Sequence, residues 1–455
     1  MTLEDAATQQ PRSAGAGPKA AVKPTPEAGH EQALAARHAQ TSPGADDLLW
    51  QALAKENLTK AWKRVKANKG SAGVDERTVK QTAAYLRTAW SVIRAKLLDG
   101  SYRPDPVRRV GIPKPGGGVR ELGIPTVVDR LIQQALLQVL QPLIDPSLSE
   151  HSHGFRPGRS AHGAVLEARQ YAQAGYRVVV DVDLEKFFDR VNHDILMDRL
   201  ARRVADKGVL RLVRRYLQAG IMSNGVCTGR AEGTPQGGPL SPLLANVLLD
   251  EVDRELERRG HKFVRYADDC NVYVKSLKAG HRVLRSLRRC YAKLRLKVNE
   301  TKTAVARVWG RKFLGYCIQR SRDGGKLAVS TQALAKLCRR IRQLTRGTGG
   351  RSLQQVAQDL RAYVPGWKAY FQLAQTPKVM EDLDKWLRRR LRALQLKQWK
   401  RGPTMYREAC KLGASRELAL RIATHAGSWW RGSAMGINII MPIAYFDDLG
   451  IPRFS

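Results

Sequence analysis

The sequence predicts an α+β fold in which a region with β-strands is followed by a purely helical region. Residues 262–274 place β-branched and aromatic residues on both sides of a short polar turn, which is typical of a β-hairpin. Residues 176–183 form a continuous β-branched run, as in a buried strand. From Ser330 onward, apolar residues recur only at helical spacing. A chain of 455 residues is long enough for roughly two or three packed units.

The first part of the chain is predicted to contain a tail, then helices, then two strands. Residues 1–45 are rich in Ala, Pro, Gly, Gln and Thr without periodicity, which indicates a disordered tail. Helical spacing of apolar residues begins at Asp46 and ends at Asn68-Lys69-Gly70, and a second helix is expected from Val79 to Leu98. Residues 107–126 predict two short strands joined by a flexible glycine loop.

The middle of the chain is predicted to alternate between helices and loops. A long apolar helix is expected over 127–143, a helix capped by Asp189 over 189–200, and a further helix over 280–297. The loop 233–239 leads into a helix whose apolar face contains Leu240, Leu243, Leu244, Val247, Leu248 and Val252.

The C-terminal helices are predicted from caps and apolar faces. Ser330 and Ser352 are the expected N-caps, because a serine side chain there accepts a hydrogen bond from the first turn. The expected buried faces contain Leu334, Leu337, Ile341 and Leu344, and then Leu383, Trp386, Leu387, Leu391 and Leu394.

The charge of the chain points to an anionic partner. Lys and Arg number 79 and Asp and Glu 41, so the formal net charge is +38. Such an excess opposes folding by self-repulsion unless a partner neutralises it. Nucleic acid is the leading candidate, and an anionic membrane surface is the alternative. Runs such as Lys385–Arg392 fit either solvated helix faces or a phosphate-facing surface, and the imbalance of sign between residues 331 and 411 favours the second.

Several classes of protein are disfavoured by composition. No apolar run approaches the roughly 20 residues that span a bilayer, and the N-terminus lacks the basic start of a signal peptide. The six cysteines are scattered without a Cys-x-x-Cys pair, which argues against a zinc site and a disulfide framework and fits a reducing cytoplasm. We therefore expect a nucleic-acid-associated protein of a reducing cytoplasm.

Carboxylates at two distant positions predict a metal site. Asp268 and Asp269 stand at the hairpin turn, where they repel each other and are costly to desolvate unless a cation neutralises them; an ordinary exposed turn is the alternative. Asp181 and Asp183 end the buried strand on one face, so periodicity leaves both open. Together with the hairpin pair, one of them would form a cluster of hard oxygen ligands suited to Mg²⁺. Two such ions about 3.5–4 Å apart can activate a hydroxyl and stabilise leaving pyrophosphate.

The chain resembles the group II intron-encoded reverse transcriptase/maturase family. Upstream, residues 68–75 and 112–126 resemble the N-terminal extension and fingers of that family. Five further segments follow in the family's order: DLEKFFD at 183–189, TPQGGPLSP at 234–242, YADD at 266–269, LKVNETKT at 296–303 and FLGY at 313–316.

The resemblance implies a right-hand polymerase with a particular domain order. A helical N-terminal extension over 46–105 precedes fingers and palm with a mixed or antiparallel sheet over 106–320. An all-helical thumb or maturase (X) region over 321–435 and a short C-terminal tail over 436–455 complete it. No His-Asn-His or Cys-x-x-Cys pattern follows Trp430, so we expect a member without the HNH endonuclease domain.

The resemblance also assigns the metal and nucleotide contacts. It makes Asp183, Asp268 and Asp269 catalytic metal ligands, together with the backbone carbonyl of Leu184, and leaves Asp181 a structural or outer acid. The contacts to the incoming nucleotide are the side chains of Lys114 and Arg120 and the backbone amides of Lys186 and Phe187, with Phe188 against the deoxyribose and Gln236 near the nascent base pair.

Two further roles follow from the resemblance. Lys302 is a candidate general acid that protonates pyrophosphate, and residues 313–316 would form the primer grip. Phe188 would clash with a 2′-hydroxyl, which makes the product DNA.

The expected function is RNA-directed DNA polymerisation from dNTPs with two Mg²⁺ ions, or Mn²⁺, together with help in splicing and mobility of its own group II intron. The partners are then intron and template RNA, a DNA primer or target, and dNTPs. A splicing-only RNA-binding maturase is one alternative, which the intact set of aspartates disfavours as the sole function. A group II-like reverse transcriptase repurposed for phage defence or CRISPR adaptation is another.

Overall fold

The computed structural model describes residues 47–113, 118–223, 226–229, 232–235, 237–322, 324–346 and 350–455. The expected tail over 1–45, Lys114 and Gln236 therefore lie outside the described residues.

The described residues form helices and strands in the following order. The strands are β1 Val107–Pro113, β2 Val119–Ile124, β3 Val178–Val182, β4 Ile221–Ser223, β5 Val226–Thr228, β6 Lys262–Tyr266, β7 Asp269–Val274, β8 Ala304–Arg307, β9 Lys312–Phe313, β10 Tyr316–Gln319 and β11 Lys326–Val329. The helices are α1 Leu48–Ala52, α2 Lys55–Ala67, α3 Val79–Leu98, α4 Val127–Ile144, α5 Ala161–Gln173, α6 His193–Ala201, α7 Lys207–Gln218, α8 Ser241–Arg258, α9 Leu277–Lys293, α10 Thr331–Leu344, α11 Leu353–Tyr370, α12 Pro377–Trp399, α13 Gly402–Lys411, α14 Arg416–Ala423, α15 Trp429–Gly432, α16 Ile437–Ile440 and α17 Ile443–Asp448.

The chain divides into two compact units that interleave in sequence. In the described part of the chain, the first comprises residues up to Ser160, together with Val180–Val272 and Lys278–Val305. The second comprises Ala161–Val179, Tyr273–Leu277 and Ala306–Ser455. The sequence predicts successive blocks with boundaries near residues 45, 105, 320 and 435, whereas these units are assembled from non-consecutive segments.

A mixed sheet lies in the first unit, in the order β2-β1-β4-β5. β1 pairs antiparallel with β2, so that Ile112 faces Arg120, and it pairs parallel with β4. The two strands expected within 107–126 are thus confirmed. A second four-stranded sheet has the order β6-β7-β3-β8. β6 and β7 form the predicted hairpin, and β3 is the predicted buried strand.

The helix expected over 189–200 begins later than predicted. Asp189 is not its cap; it ends a short 3₁₀ turn, Phe187–Asp189, whereas α6 is capped by Asn192, whose side chain accepts from the Ile195 amide at 3.0 Å. The carbonyls of Phe188 and Val191 already accept hydrogen bonds from Thr234 and Gly233, both at 2.7 Å. Because these two carbonyls accept from a loop distant in sequence, the regular hydrogen bonds of the helix start only after Val191.

A buried carboxylate lies at the start of α4. Asp129 is 1% exposed and accepts hydrogen bonds from the hydroxyls of Tyr102 at 2.8 Å, Thr126 at 2.8 Å and Tyr216 at 3.2 Å. Burial raises its pKa from 3.8 to about 6, although these hydrogen bonds oppose the shift. The unfolded chain therefore loses this proton at lower pH than the folded protein does.

We expect the stability that Asp129 contributes to fall as pH rises from about 4.5 to 6.5, since the folded carboxyl must then ionise in its buried site. The urea-unfolding free energy of the wild type minus that of Asp129→Asn should decrease by on the order of 2 kcal/mol over this range. The asparagine variant is the control, because it has no proton to lose at this position. A difference independent of pH would contradict the raised pKa.

The second unit is built on a helical core. The predicted caps are confirmed: Ser330 accepts from the Ala333 amide, and Ser352 forms a capping box with Gln355. The predicted buried faces are confirmed for Leu337, Ile341, Leu344, Leu383, Leu387, Leu391 and Leu394, while Leu334 and Trp386 pack against this core partly buried.

Residues 436–455, expected as a short tail, join the same core. They form α16 and α17, and the core includes Ile437, Ile440, Met441, Phe446, Ile451 and Phe454. The carboxylate of Asp384 is 2% exposed and accepts from the amides of Phe454 and Ser455, each at 2.9 Å. This segment is thus packed rather than loosely attached.

The α+β prediction is confirmed, with mixed and antiparallel sheets and a helical C-terminal region. Within the described ranges, each helix is too short or too polar to cross a lipid bilayer.

Candidate active site

The predicted carboxylates lie on neighbouring strands of one sheet. β7 is hydrogen-bonded to β3, Asp183 follows the last residue of β3, and Asp269 is the first residue of β7. The strand that precedes Asp183 and the strand that begins with Asp269 are therefore neighbours in the sheet.

The Asp183 carboxylate is partly buried and contacts a lysine. Its Oδ2 lies 3.2 Å from Nζ of Lys302, so the structure brings together two of the predicted site residues. The same oxygen is inaccessible to solvent and makes no well-directed hydrogen bond. A buried anionic oxygen in this condition fits a hard cation ligand. In the described part of the chain, no three His, Cys, Asp or Glu side chains form a group arranged to hold a metal ion.

The backbone after Asp183 is anchored to residues 297–303. The Asn299 amide donates to the Asp183 carbonyl at 2.8 Å, and the Glu185 amide donates to the Lys297 carbonyl at 2.9 Å. This bridge pairs Leu184 with Val298 but uses the flanking groups, not the Leu184 carbonyl. The arrangement is compatible with the predicted use of that carbonyl as a metal ligand.

The predicted nucleotide contacts at 186–188 lie in a tight turn. Lys186 has a φ of 47°, in the left-handed region, and Phe187–Asp189 form the 3₁₀ turn. Phe187 is buried, and its ring meets the partly exposed Phe188 ring edge to face, with centroids 5.0 Å apart. The Phe188 carbonyl accepts from the Thr234 amide at 2.7 Å. The 183–189 and 234–242 segments are therefore in contact.

Strand β2 passes beside the loop that precedes α8. A Cβ on Gly237, whose φ is 130°, would lie 2.7 Å from the Gly123 carbonyl oxygen, so only glycine permits this approach. β2 also carries Arg120, of which the backbone alone is described. The predicted contacts of Lys114 and Gln236 lie outside the described residues and stay predictions.

The hairpin turn is held by a buried network that sequence reasoning missed. Arg265 is 1% exposed and bonds Asp253 through two nitrogens and Asn246 and the Ala267 carbonyl through a third. Burial raises the pKa of Asp253, and the Arg265 charge opposes that shift. The available signal was the helical spacing of Asn246, Asp250 and Asp253, which places three polar residues on one buried face of α8.

The predicted primer grip lies in the second unit. Leu314 and Gly315 both have left-handed backbones, with φ of 50° and 83°. The Tyr370 hydroxyl donates to the Leu314 carbonyl at 2.8 Å, and the Ser330 amide donates to the Gly315 carbonyl at 2.9 Å. The turn is thus connected to the end of α11 and the start of α10.

The basic run on α12 is only partly available to phosphate. Arg390 donates to the Thr345 hydroxyl at 3.0 Å, and Arg392 donates to the Met441 carbonyl at 3.0 Å. Burial lowers the pKa of both guanidinium groups. Arg389 lies over the Trp430 ring at 4.4 Å, whereas Lys385 is exposed. Part of the charge run therefore stabilises the helical core.

Comparisons with known proteins decide the family. The family described as reverse transcriptase (RNA-dependent DNA polymerase) matches residues 112–318, and the group II intron maturase-specific domain matches residues 334–413. Protein YkfC of Escherichia coli strain K12 is 34% identical over 301 residues, which cover 57% of this chain and 79% of YkfC. The chain belongs to the group II intron reverse transcriptase/maturase family. The expected resemblance is confirmed, with a reverse transcriptase domain and a maturase domain in one chain.

Other relatives of this reverse transcriptase/maturase chain match in part. Group II intron-encoded protein LtrA of Lactococcus lactis subsp. cremoris is 40% identical over 37% of this chain and 28% of LtrA. The putative COX1/OXI3 intron 1 protein of Saccharomyces cerevisiae is 34% identical over 47% of this chain and 25% of that protein. The chain thus spans about a quarter of each. A solved structure titled partial Cas6-RT-Cas1--Cas2 complex matches 54% of this chain and 42% of its own, with 28% identity and a TM-score of 0.35.

Proposed function

We propose that this protein is an RNA-directed DNA polymerase that copies RNA into cDNA from dNTPs. The observation that carries the proposal is the hydrogen-bonded pairing of β3 with β7, in a region that matches the reverse transcriptase family. This pairing supports a site in which Asp183 acts with Asp268 and Asp269. Phosphoryl transfer needs positioning and charge neutralisation rather than covalent chemistry from the protein. A carboxylate site of this type can therefore support the reaction.

Two Mg²⁺ ions are the proposed cofactors, with Mn²⁺ as a substitute. Asp183, Asp268, Asp269 and the Leu184 carbonyl would hold them, and the buried Oδ2 of Asp183 supports this assignment. When bound, such ions activate the primer 3′-hydroxyl and neutralise charge on the leaving pyrophosphate. Lys302 is placed 3.2 Å from Asp183, which supports its role in giving a proton to a pyrophosphate oxygen.

The residues around the turn at 186–188 would bind the nucleotide. The amides of Lys186 and Phe187, with the side chains of Lys114 and Arg120, are proposed to hold the triphosphate, because charge-assisted hydrogen bonds suit its oxygens. Phe188 is only partly buried, and its exposed part is proposed to pack under the deoxyribose and exclude a 2′-hydroxyl. Gln236 would lie near the nascent base pair.

Binding and splicing of intron RNA form a second proposed function. It is supported by the maturase domain over 334–413 and by the net charge of +38. We propose that residues 106–320 form the fingers and palm and that residues 321–435 form the thumb. The proposed location is the bacterial cytoplasm. A role in phage defence or CRISPR adaptation is the alternative, and flanking DNA that encodes a catalytic intron hairpin would favour the mobile element.

Primer extension on an RNA template tests the polymerase assignment. With an annealed DNA primer and Mg²⁺, we expect extension with dNTPs and little with rNTPs, because a 2′-hydroxyl meets Phe188. Phe188→Ala should lower the ratio of the extension rate with dNTPs to that with rNTPs by at least about tenfold, the equivalent of about 1.4 kcal/mol. Equal extension by the wild type with dNTPs and rNTPs would contradict the role of Phe188. Failure with both substrates would contradict the polymerase itself.

A further inference from the structure

Arg265 stands two residues before the catalytic turn and is almost fully enclosed. Its guanidinium is 1% exposed and the facing carboxylate of Asp253 is fully buried. Nε lies 2.8 Å from Oδ1 of Asp253 and Nη2 lies 2.6 Å from Oδ2, a two-point contact. Nη1 donates to Oδ1 of Asn246 and to the carbonyl of Ala267, both at 2.9 Å.

The contact with Ala267 distinguishes this group from an ordinary buried ion pair. Ala267 has a φ of 57°, a left-handed backbone that disfavours a residue with a side chain, and it precedes Asp268 directly. The planar guanidinium presents its donors in a fixed fork, so its contact with Asp253 determines where Nη1 points. The orientation of the turn is therefore tied to α8, which carries both Asn246 and Asp253.

The opposite side of the turn is held by the segment before α5. The Arg265 carbonyl accepts from the His153 amide at 2.9 Å, and the Arg265 amide donates to the His151 carbonyl at 2.9 Å. The Asn246 amide group donates to the Gly154 carbonyl at 2.9 Å. A Cβ on Gly154 would lie 2.2 Å from the Ala267 nitrogen, so this backbone presses directly on the turn.

We propose that Arg265 is a positioning residue that sets the geometry of the Asp268 and Asp269 carboxylates for metal binding, acting through the Ala267 carbonyl. The proposal rests on the proposed polymerase function, in which these carboxylates hold Mg²⁺ or Mn²⁺. Because protein groups enclose the Arg265 side chain, it would itself touch neither metal nor substrate. Groups that orient metal ligands commonly change metal affinity when they are altered, even though the ligands remain.

The test compares Arg265→Lys with a matched control, an arginine that pairs with another aspartate of the same helix, α8. Lysine keeps the positive charge opposite Asp253 but lacks the planar guanidinium that also donates from Nη1 to Asn246 and to the Ala267 carbonyl. Arg203→Lys changes a second ion pair of α8, the one with Asp250. Arg203 also donates to the Ser147 hydroxyl and to the Arg199 carbonyl, and not to the Ala267 carbonyl as Arg265 does. Both variants are expected to lower the melting temperature of the full chain.

Only Arg265→Lys is expected to weaken Mn²⁺ binding, by about tenfold or more in a titration followed by electron paramagnetic resonance. The Mg²⁺ concentration for half-maximal primer extension should rise in parallel, with the KM for dNTP at saturating metal unchanged. Equal loss of Mn²⁺ affinity in both variants, or loss in neither, would make Arg265 merely structural and overturn the proposal.

If Arg265→Lys does not fold, a second variant, Asn246→Ala, tests the same proposal. Asn246→Ala keeps the contacts of Arg265 with Asp253 and with the Ala267 carbonyl but removes the hydrogen bond from Nη1 to Asn246. A smaller decrease in Mn²⁺ affinity is therefore expected. Unchanged affinity in that variant would also refute the proposal. A wild type that neither binds Mn²⁺ nor extends a primer would overturn the polymerase function instead, which separates the two failures.

Discussion

Asp268→Asn is expected to lower cDNA synthesis by on the order of a thousandfold while leaving RNA affinity within about twofold of the wild type. Asparagine keeps the size of the side chain but removes one negative charge from the proposed metal ligands. Metal stabilisation of transition-state charge is worth several kcal/mol, and about 4 kcal/mol corresponds to this loss of rate. Single-turnover primer extension measures the first quantity, and fluorescence anisotropy with labelled RNA measures the second.

The control for this prediction is Asp194→Asn. Asp194 is an exposed carboxylate in the first turn of α6 whose partner is Arg214 at 2.6 Å. Its removal should leave polymerisation near the wild-type level, because an exposed ion pair contributes little. Polymerisation that persists in Asp268→Asn would refute the assignment of the hairpin. A similar loss in both variants would point to a general effect of lowered negative charge.

RNA affinity is expected to fall about three-hundredfold between 50 and 200 mM monovalent salt, if about six phosphates are neutralised on binding. The physical reason is release of counterions from the RNA backbone when lysines and arginines replace them. The slope of log affinity against log salt should be about −0.7 for each phosphate of single-stranded RNA. Filter binding over a salt series measures this slope, and a salt-insensitive affinity would contradict the proposed RNA-binding surface.

Arg392→Ala is the matched control for the salt series. Its guanidinium donates to the Met441 carbonyl and lies 5.5 Å from the Phe446 ring centroid, inside the helical core of the second unit. The variant should lose thermal stability and keep the wild-type salt slope at temperatures where it is folded. A flatter slope would mean that Arg392 reaches phosphate despite these contacts.

Elements that depend on neighbouring residues were predictable from the sequence. The span of α3 from Val79 to Leu98 and the caps at Ser330 and Ser352 follow from spacing and side chains within one or two turns. The hairpin over 262–274 follows from β-branched residues around a polar turn. The family followed from the order of its motifs, which the comparisons confirm over 112–318 and 334–413.

The start of α6 could not be read from the local sequence. Asp189 is as good a cap as Asn192 by residue type, and the choice depends on two carbonyls that accept hydrogen bonds from residues 233 and 234. The interleaved composition of the two units is equally non-local, because it depends on which segments pack together. The tail expected at 436–455 is packed for the same reason, since its apolar residues find partners on distant helices.

By itself, the sequence determined which carboxylates are candidates for catalysis, since acids at a strand end and at a hairpin turn are unfavourable without a cation. Only the tertiary structure decided that β3 and β7 are neighbours, that Lys302 meets Asp183, and that Arg265 is buried beneath the turn. The physical reason is that strand pairing and burial of charge are set by contacts between residues far apart in the chain, which no local periodicity encodes.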